Sequence, residues 1–287
     1  MDTPLLEAPV PGLAPRWQLS APESYVLLHG PRADSVEAFK KGLLELIARG
    51  VLAIRIYTLS HTFRFPTRET LLLSGHNDLT ALPAAPPLRS IYDLYRHAVA
   101  CSRWRVPHVG DLGRSARALE TPLKTYARRV VIPSLLERGL WRSEEHRVLG
   151  LFPRTTYVET PSGAAARAEL DHLMGMAERD LADAVARDPK QALLLVGTLG
   201  AAVLLMDPLF PVLALLGQQL GPITPGSLEL RVSGDFNFDA SDLDAGSFGS
   251  LAGAFDTLSD SLDGGDGGGS DGGDGGGGGW GDGGGGD

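Results

Sequence analysis

Between Arg96 and Arg154 lie twelve basic residues, eleven of them arginine, against five acids, which leaves this stretch at +7. An arginine side chain carries a planar fork of donors that matches pairs of phosphate oxygens, whether these belong to nucleic acid or to lipid headgroups. Trp104 stands between Arg103 and Arg105, and tryptophan suits either a membrane interface or stacking on a base. Arg103, Trp104, Arg105, Lys124, Arg128 and Arg129 are therefore the candidate residues for binding an anionic surface. The competing reading is a solvated face whose cations pair with local acids or with the acidic C-terminal region.

The other chemistry-bearing residues are dispersed. The histidines are His29, His61, His76, His97, His108, His146 and His172, and no two form a His-Glu-x-x-His pair. Glu169-x-x-His172 occurs once on a helical stretch, whereas a carboxylate-bridged metal bundle needs two such pairs plus two further helical carboxylates. Ser74-Gly75-His76-Asn77-Asp78 holds nucleophile, imidazole and carboxylate, but residues this close along the chain do not converge as a triad. There is no Gly-x-Ser-x-Gly elbow, no Walker loop and no Gly-x-Gly-x-x-Gly between a strand and a helix. Cys101 is the sole cysteine, which excludes an intrachain disulfide and a cysteine-based zinc site. No catalytic, cofactor-binding or metal-binding residue is assigned, and a non-enzyme is expected.

Charge divides the chain. Residues 232–287 carry twelve aspartates and no lysine or arginine, so that residues 1–231 carry +3 although the whole chain is at −9. The last 25 residues hold 17 of the 37 glycines. Such a composition cannot bury enough surface to offset chain entropy, so residues 221–287 are expected to be a disordered acidic tail. The start of the chain has no basic segment leading into an apolar one, which predicts a cytoplasmic protein.

Two similar sets of elements must position the arginines. Asp34-Ser35 can cap a helix with apolar residues at Val36, Phe39, Leu43, Leu46 and Ile47. Gly50 stops it, and extended stretches follow at 51–57 and 68–73. In the second set, 89–102 reads as a helix, and Thr121-Pro122 opens another that Pro133 must kink or divide and Gly139 must end. A hairpin turning at Pro153-Arg154 follows, and then a long amphipathic helix from Thr160 to about Arg187. The shared Leu-x-x-Arg-Gly-apolar helix end followed by two strands is how a winged-helix unit looks, the glycine permitting a left-handed exit. The fold class expected is α+β, mostly α with short β-hairpins: tandem winged-helix-like units, C-terminal hydrophobic helices and the Gly/Asp tail. The boundaries are 1–19 for an irregular lead-in, 20–81 and 88–188 for the two units, 189–220 for the hydrophobic segment and 221–287 for the tail.

Ala192–Leu216 is the most apolar stretch, with Asp207-Pro208 inside it. Its 25 residues match a bilayer span, while the fifteen before Asp207 suit a buried helix followed by a second short one. Leu193, Leu195, Val203 and Leu204 belong to a membrane segment in the first case and to the core in the second.

Leu19-Ser20-x-x-Glu23-x-Tyr25-Val26-Leu27-x-x-Gly30-Pro31, both Arg-Gly helix ends, Thr160-Pro161-Ser162-Gly163, the apolar run into Asp207-Pro208 and the glycine-rich end together resemble a group of bacterial predicted membrane proteins of high-GC genomes that has no established activity. Residues 135–157, from Leu135-Leu136-Glu137-Arg138-Gly139-Leu140-Trp141 to Pro153-Arg154-Thr155-Thr156-Tyr157, are similar to bacterial relatives of the Golgi phosphoprotein family. Eukaryotic members of that family bind phosphoinositide headgroups through a basic pocket; the resemblance places Arg128 near a pocket arginine, with Thr125 at the neighbouring position. The function expected is a non-enzymatic, membrane-associated interaction protein at the inner face of the cell membrane. It would have anionic lipid and other proteins as partners and no cofactor. The alternative is a winged-helix DNA-binding regulator.

Overall fold

Ser20 opens the first helix by a local device: its N–H and its hydroxyl both donate to Glu23 Oε2, at 2.9 and 2.7 Å. This starts α1 (Ala21–His29), which Gly30 ends by donating its N–H to the Val26 carbonyl. The computed structural model describes residues 17–59, 67–75, 85–102, 105–119, 123–148, 152–188, 191–192, 195–196, 199–206 and 212. The tail, most of the lead-in, Arg103, Trp104 and Leu193 lie outside them. The remaining elements are α2 (Ser35–Ala48), β1 (Leu52–Leu59), β2 (Thr67–Ser74), α3 (Pro86–Cys101), α4 (Val109–Ala118), α5 (Ile132–Glu137), β3 (Trp141–Val148), β4 (Phe152–Glu159) and α6 (Pro161–Arg187). A 3-10 turn at Leu123–Thr125 and a π turn at Ala127–Val131 lead into α5. The chain is thus mostly helical, with two separate antiparallel ribbons, β1–β2 and β3–β4.

The two sets of elements repeat in geometry as well as in sequence. Gly50 and Gly139 adopt φ of 65° and 68°, a region open to glycine at no steric cost. Gly50 N–H reaches Ile47 O and Val51 N–H reaches Leu46 O; Gly139 N–H reaches Leu136 O and Leu140 N–H reaches Leu135 O. Both helices therefore close with the same paired 6→1 and 4→1 type of exit. Each hairpin is then stitched at its base, through Gly75 N–H to Val51 O in one and Thr160 N–H to Leu140 O in the other, both 2.9 Å.

Pro133 divides its helix as expected. Lacking an N–H, it cannot continue the α ladder, and the residues just before it wind as the π turn. The second hairpin departs from expectation. Arg147 pairs with Pro153 and Val148 with Phe152, so Pro153-Arg154 belongs to β4 and is not the turn. A proline is tolerated there because each strand of a two-stranded ribbon is an edge.

One continuous apolar core runs from Ala21 to Met206. Helix α1 sits at its centre, touching α2, α3, α5, α6, the π turn and the 3-10 turn at Gly200–Leu205. Helix α6 lays Gly163, Ala166, Leu170, Leu173, Ala177, Leu181 and Val185 against the core, steps of three and four residues that keep one face inward. The apolar run after it is not one straight helix. Gly200 takes φ of 55° and the next residues wind as the 3-10 turn, with Ala192, Val196, Leu199, Val203, Leu204 and Met206 buried and Leu195 packed alongside. The core reading of this segment is the one its described residues follow. Among those residues, no helix is long and apolar enough to cross a membrane.

Candidate functional site

Two buried carboxylates lock the walls of the site together. Glu23 of α1 is fully buried; its Oε1 accepts the Ser134 hydroxyl at 2.6 Å and faces Arg138 Nε at 2.9 Å. Helix α1 thereby holds the last turn of α5. Glu45 of α2, equally buried, accepts the Ala21 N–H at 2.6 Å and two donors of Arg49, at 2.9 and 2.7 Å. Its carboxyl is raised above the ordinary value by burial, which the Arg49 charge opposes without cancelling. Tyr126 is buried against Phe39, edge to face, and its hydroxyl donates to Pro87 O at 2.8 Å. Burial among the two carboxylates pushes that phenol well above its ordinary range. Next to it, Ala127 N–H donates to Ser35 Oγ at 3.2 Å, which pins the π turn to the first residue of α2.

Above these contacts opens a cleft of about 730 Å³, lined by His29, Pro31, Arg32, Arg128, Ile132, Arg154, Thr155, Thr156 and Tyr157. Three segments distant in sequence meet there: the α1–α2 turn, the π turn with the start of α5, and β4. A π turn inserts one extra residue per turn and so re-aims the side chains that follow, a device common at functional sites; here it carries Arg128 and Arg129. Arg32, Arg128 and Arg154 are all exposed at the cleft. His29 stacks on Tyr25 with centroids 4.2 Å apart, and its Nδ1 lies 2.9 Å from Tyr25 O. A proton on Nδ1 would leave Nε2 as the acceptor of the neutral ring. Thr156 spends its hydroxyl on Glu144 O at 3.3 Å.

The cleft arginines differ from the other cations in their pairing. Arg49, Arg138, Arg142, Arg187 and Lys40 each meet a carboxylate at 2.7 to 3.2 Å, and Arg114 meets Asp111. Among the described residues, no carboxylate pairs with Arg32, Arg128 or Arg154. Three guanidinium groups without a described carboxylate partner around a concave space present the kind of donor that an anionic group bearing several oxygens accepts from.

Of the six residues chosen from sequence, Arg128 lines the cleft. Lys124, Arg129 and the exposed Arg105, held at φ of 56°, do not. Arg154 counted toward the basic stretch without being singled out, and Arg32 went unnoticed because it stands alone between Pro31 and Ala33, outside any cluster. Only the fold joins it to residues about a hundred positions away. The described histidines stand apart: His97 is beside Cys101, His108 precedes α4, His146 faces Glu144 from β3, and His172 is exposed on α6. No group of three or more His, Cys, Asp or Glu that could hold a metal ion occurs among the described residues. No protein-family model matches the chain, and no curated protein matches it.

Proposed function

We propose that this chain is a non-enzymatic interaction protein that docks on the anionic inner face of the cell membrane through the Arg32–Arg128–Arg154 cleft. The observation that carries the reading is the convergence of three arginines, from three separate segments, with no acid to neutralise them among the described residues. Guanidinium groups left unpaired at a concave surface retain their attraction for headgroup phosphates, about 1 kcal/mol per cation near an anionic leaflet. The apolar segment supports peripheral docking in preference to insertion, since most of its described residues are buried within the protein and the rest pack against that core. The local likeness to the Golgi phosphoprotein family covers residues 135–157, which include the start of β4, one wall of this cleft, and it places Arg128 near a pocket arginine of that family. The DNA-binding alternative has less behind it. In α2, ten of fourteen residues are buried, and Ile132, Ser134 and Leu135 of α5 are buried too, which leaves the hairpin-linked helices little surface for a groove.

Sedimentation with vesicles tests the proposal. The protein should pellet with vesicles containing anionic phospholipid and not with neutral ones, and 0.5 M salt should release it, as expected for charges screened within about a Debye length. R32Q/R128Q/R154Q should stay in the supernatant. Equal binding to neutral vesicles, or no binding to either, would overturn the reading; a salt-sensitive shift of duplex DNA without vesicle binding would put the DNA-binding reading in its place.

A further inference from the structure

Arg32, Arg128 and Arg154 have no carboxylate partner among the described residues, while the same chain holds a large surplus of acid elsewhere. Residues 263–287 contain six aspartates, 17 glycines and no basic residue. We infer that the Gly/Asp segment 263–287 is itself a ligand of the arginine cleft, so that the protein carries a competitor for its own anionic partner. The inference rests on the reading of the cleft as an anion receptor.

Three observations carry it. The first is charge complementarity: the cleft presents three cations that no described acid neutralises, and the segment presents carboxylates with no cation among them. The second is spacing. Asp263 and Asp266, and again Asp271 and Asp274, are three residues apart, which in extended chain is roughly 10 Å. That is on the scale of a cleft of about 730 Å³. The intervening residues are almost all glycine, whose lack of a side chain lets backbone approach a protein surface closely. The third is reach. Fifty residues separate Val212, the last described residue, from Asp263. Their contour is roughly 170 Å, several times the roughly 45 Å breadth of a body of two hundred residues, so no part of that body is out of range. A tethered ligand competes at an effective concentration set by its linker and not by the amount of protein. Each carboxylate–guanidinium contact is weak when exposed, so the closed state is one that an anionic surface displaces.

Residue-resolved NMR on the full ¹⁵N-labelled chain tests the contact directly. In R32Q/R128Q/R154Q the glycine amides of 263–287 should move from their wild-type positions, and added salt should bring the wild type to the same positions. R89Q/R96Q/R105Q removes three exposed charges outside the cleft and should leave those amides in place. Tail signals that ignore the cleft substitutions, that respond equally to the control set, or that revert on dilution as a contact between two copies would, each overturn the inference. The functional arm uses the full-length variant with Asp263, Asp266, Asp271, Asp274, Asp282 and Asp287 changed to serine. It should bind anionic vesicles about tenfold more tightly than wild type, and the gain should vanish when the cleft arginines are also changed. If wild type and serine variant bind vesicles alike, self-competition is wrong and membrane docking stands. If the tail signals respond to the cleft while neither protein binds vesicles, the contact stands and membrane docking is wrong.

Discussion

Glu23 and Glu45 do the same structural task, and at Glu45 burial makes that task pH-sensitive. A carboxylate deep in an apolar core loses its hydration and is retained only where donors replace it. Glu23 has Ser20, Ser134 and Arg138; Glu45 has Ala21 N–H and Arg49. For Glu45, burial outweighs these donors and the folded pKa lies above its ordinary 4.5. The folded state then binds more protons than the unfolded one just above pH 4.5. The stability contributed by Glu45 is therefore fully present below that pH and is lost as pH rises through the folded value. Glu45→Gln, which keeps an acceptor for Arg49 without the titration, should gain on wild type as the pH is raised from 4 toward 7. Denaturant unfolding of both proteins across that range checks this, and a constant difference between them would show that Glu45 titrates alike folded and unfolded. Nothing in the sequence marked these two residues as buried, because a glutamate on an amphipathic helix normally faces water. The one clue was that Glu23 stands three residues after Ser20, the spacing of a capping box.

At the scale of the element, two glycines separate packing from backbone effects. Gly42 lies within α2, where a β-carbon would collide with Ile91 Cδ1 and with Pro22 Cγ at 2.7 Å; three helices cross at that point. Gly139 has open space around the same atom but sits at φ of 68°. Gly42→Ala should lower stability by about 1–3 kcal/mol through overpacking, and Gly139→Ala by about 1–2 kcal/mol through backbone strain alone. Replacing Ile91 by valine should recover part of the first loss and none of the second, which thermal unfolding of the double variants would read out. These elements also bound what the sequence could reveal. Helix α2, the two ribbons, α3 and α6 were legible, because one inward face or an alternation of β-branched residues carries the pattern. Helix α1 was not, since it is buried nearly all round and has no polar face to set a period. Helix α4 was hidden by its three glycine and serine positions inside Val109–Ala118, residues that weaken any helical reading. The cleft was legible only in part: Arg128 stood in a basic cluster, whereas Arg32 and Arg154 join it through the meeting of a turn and a strand, which no local pattern encodes.

For the whole molecule, the fate of the apolar run decides how a membrane could be engaged. A segment that inserts leaves the remaining body free to fold without it, whereas a segment that completes the core cannot be withdrawn without opening the core. Ala192, Val196, Leu199, Val203 and Leu204 are each at most 1% exposed, and the 3-10 turn that carries the last two packs on α1, α2 and α6. These are the elements that hold the cleft: α1 supplies His29 and Glu23, and the N-terminus of α2 anchors the π turn. Val203→Asp would place an unpaired charge in that core at a cost on the order of 3–5 kcal/mol. It should therefore lower the melting temperature of the whole body and abolish vesicle binding together with it. Val203→Ile, nearly matched in volume, should leave both almost unchanged. If Val203→Asp instead left the melting transition intact and removed only membrane association, the apolar run would be acting outside the core, and the cleft would have to share its role with an inserted segment. Circular dichroism melts run beside sedimentation on the same three proteins separate these outcomes, because a peripheral protein loses binding by losing its fold, and an inserted one loses binding while keeping it.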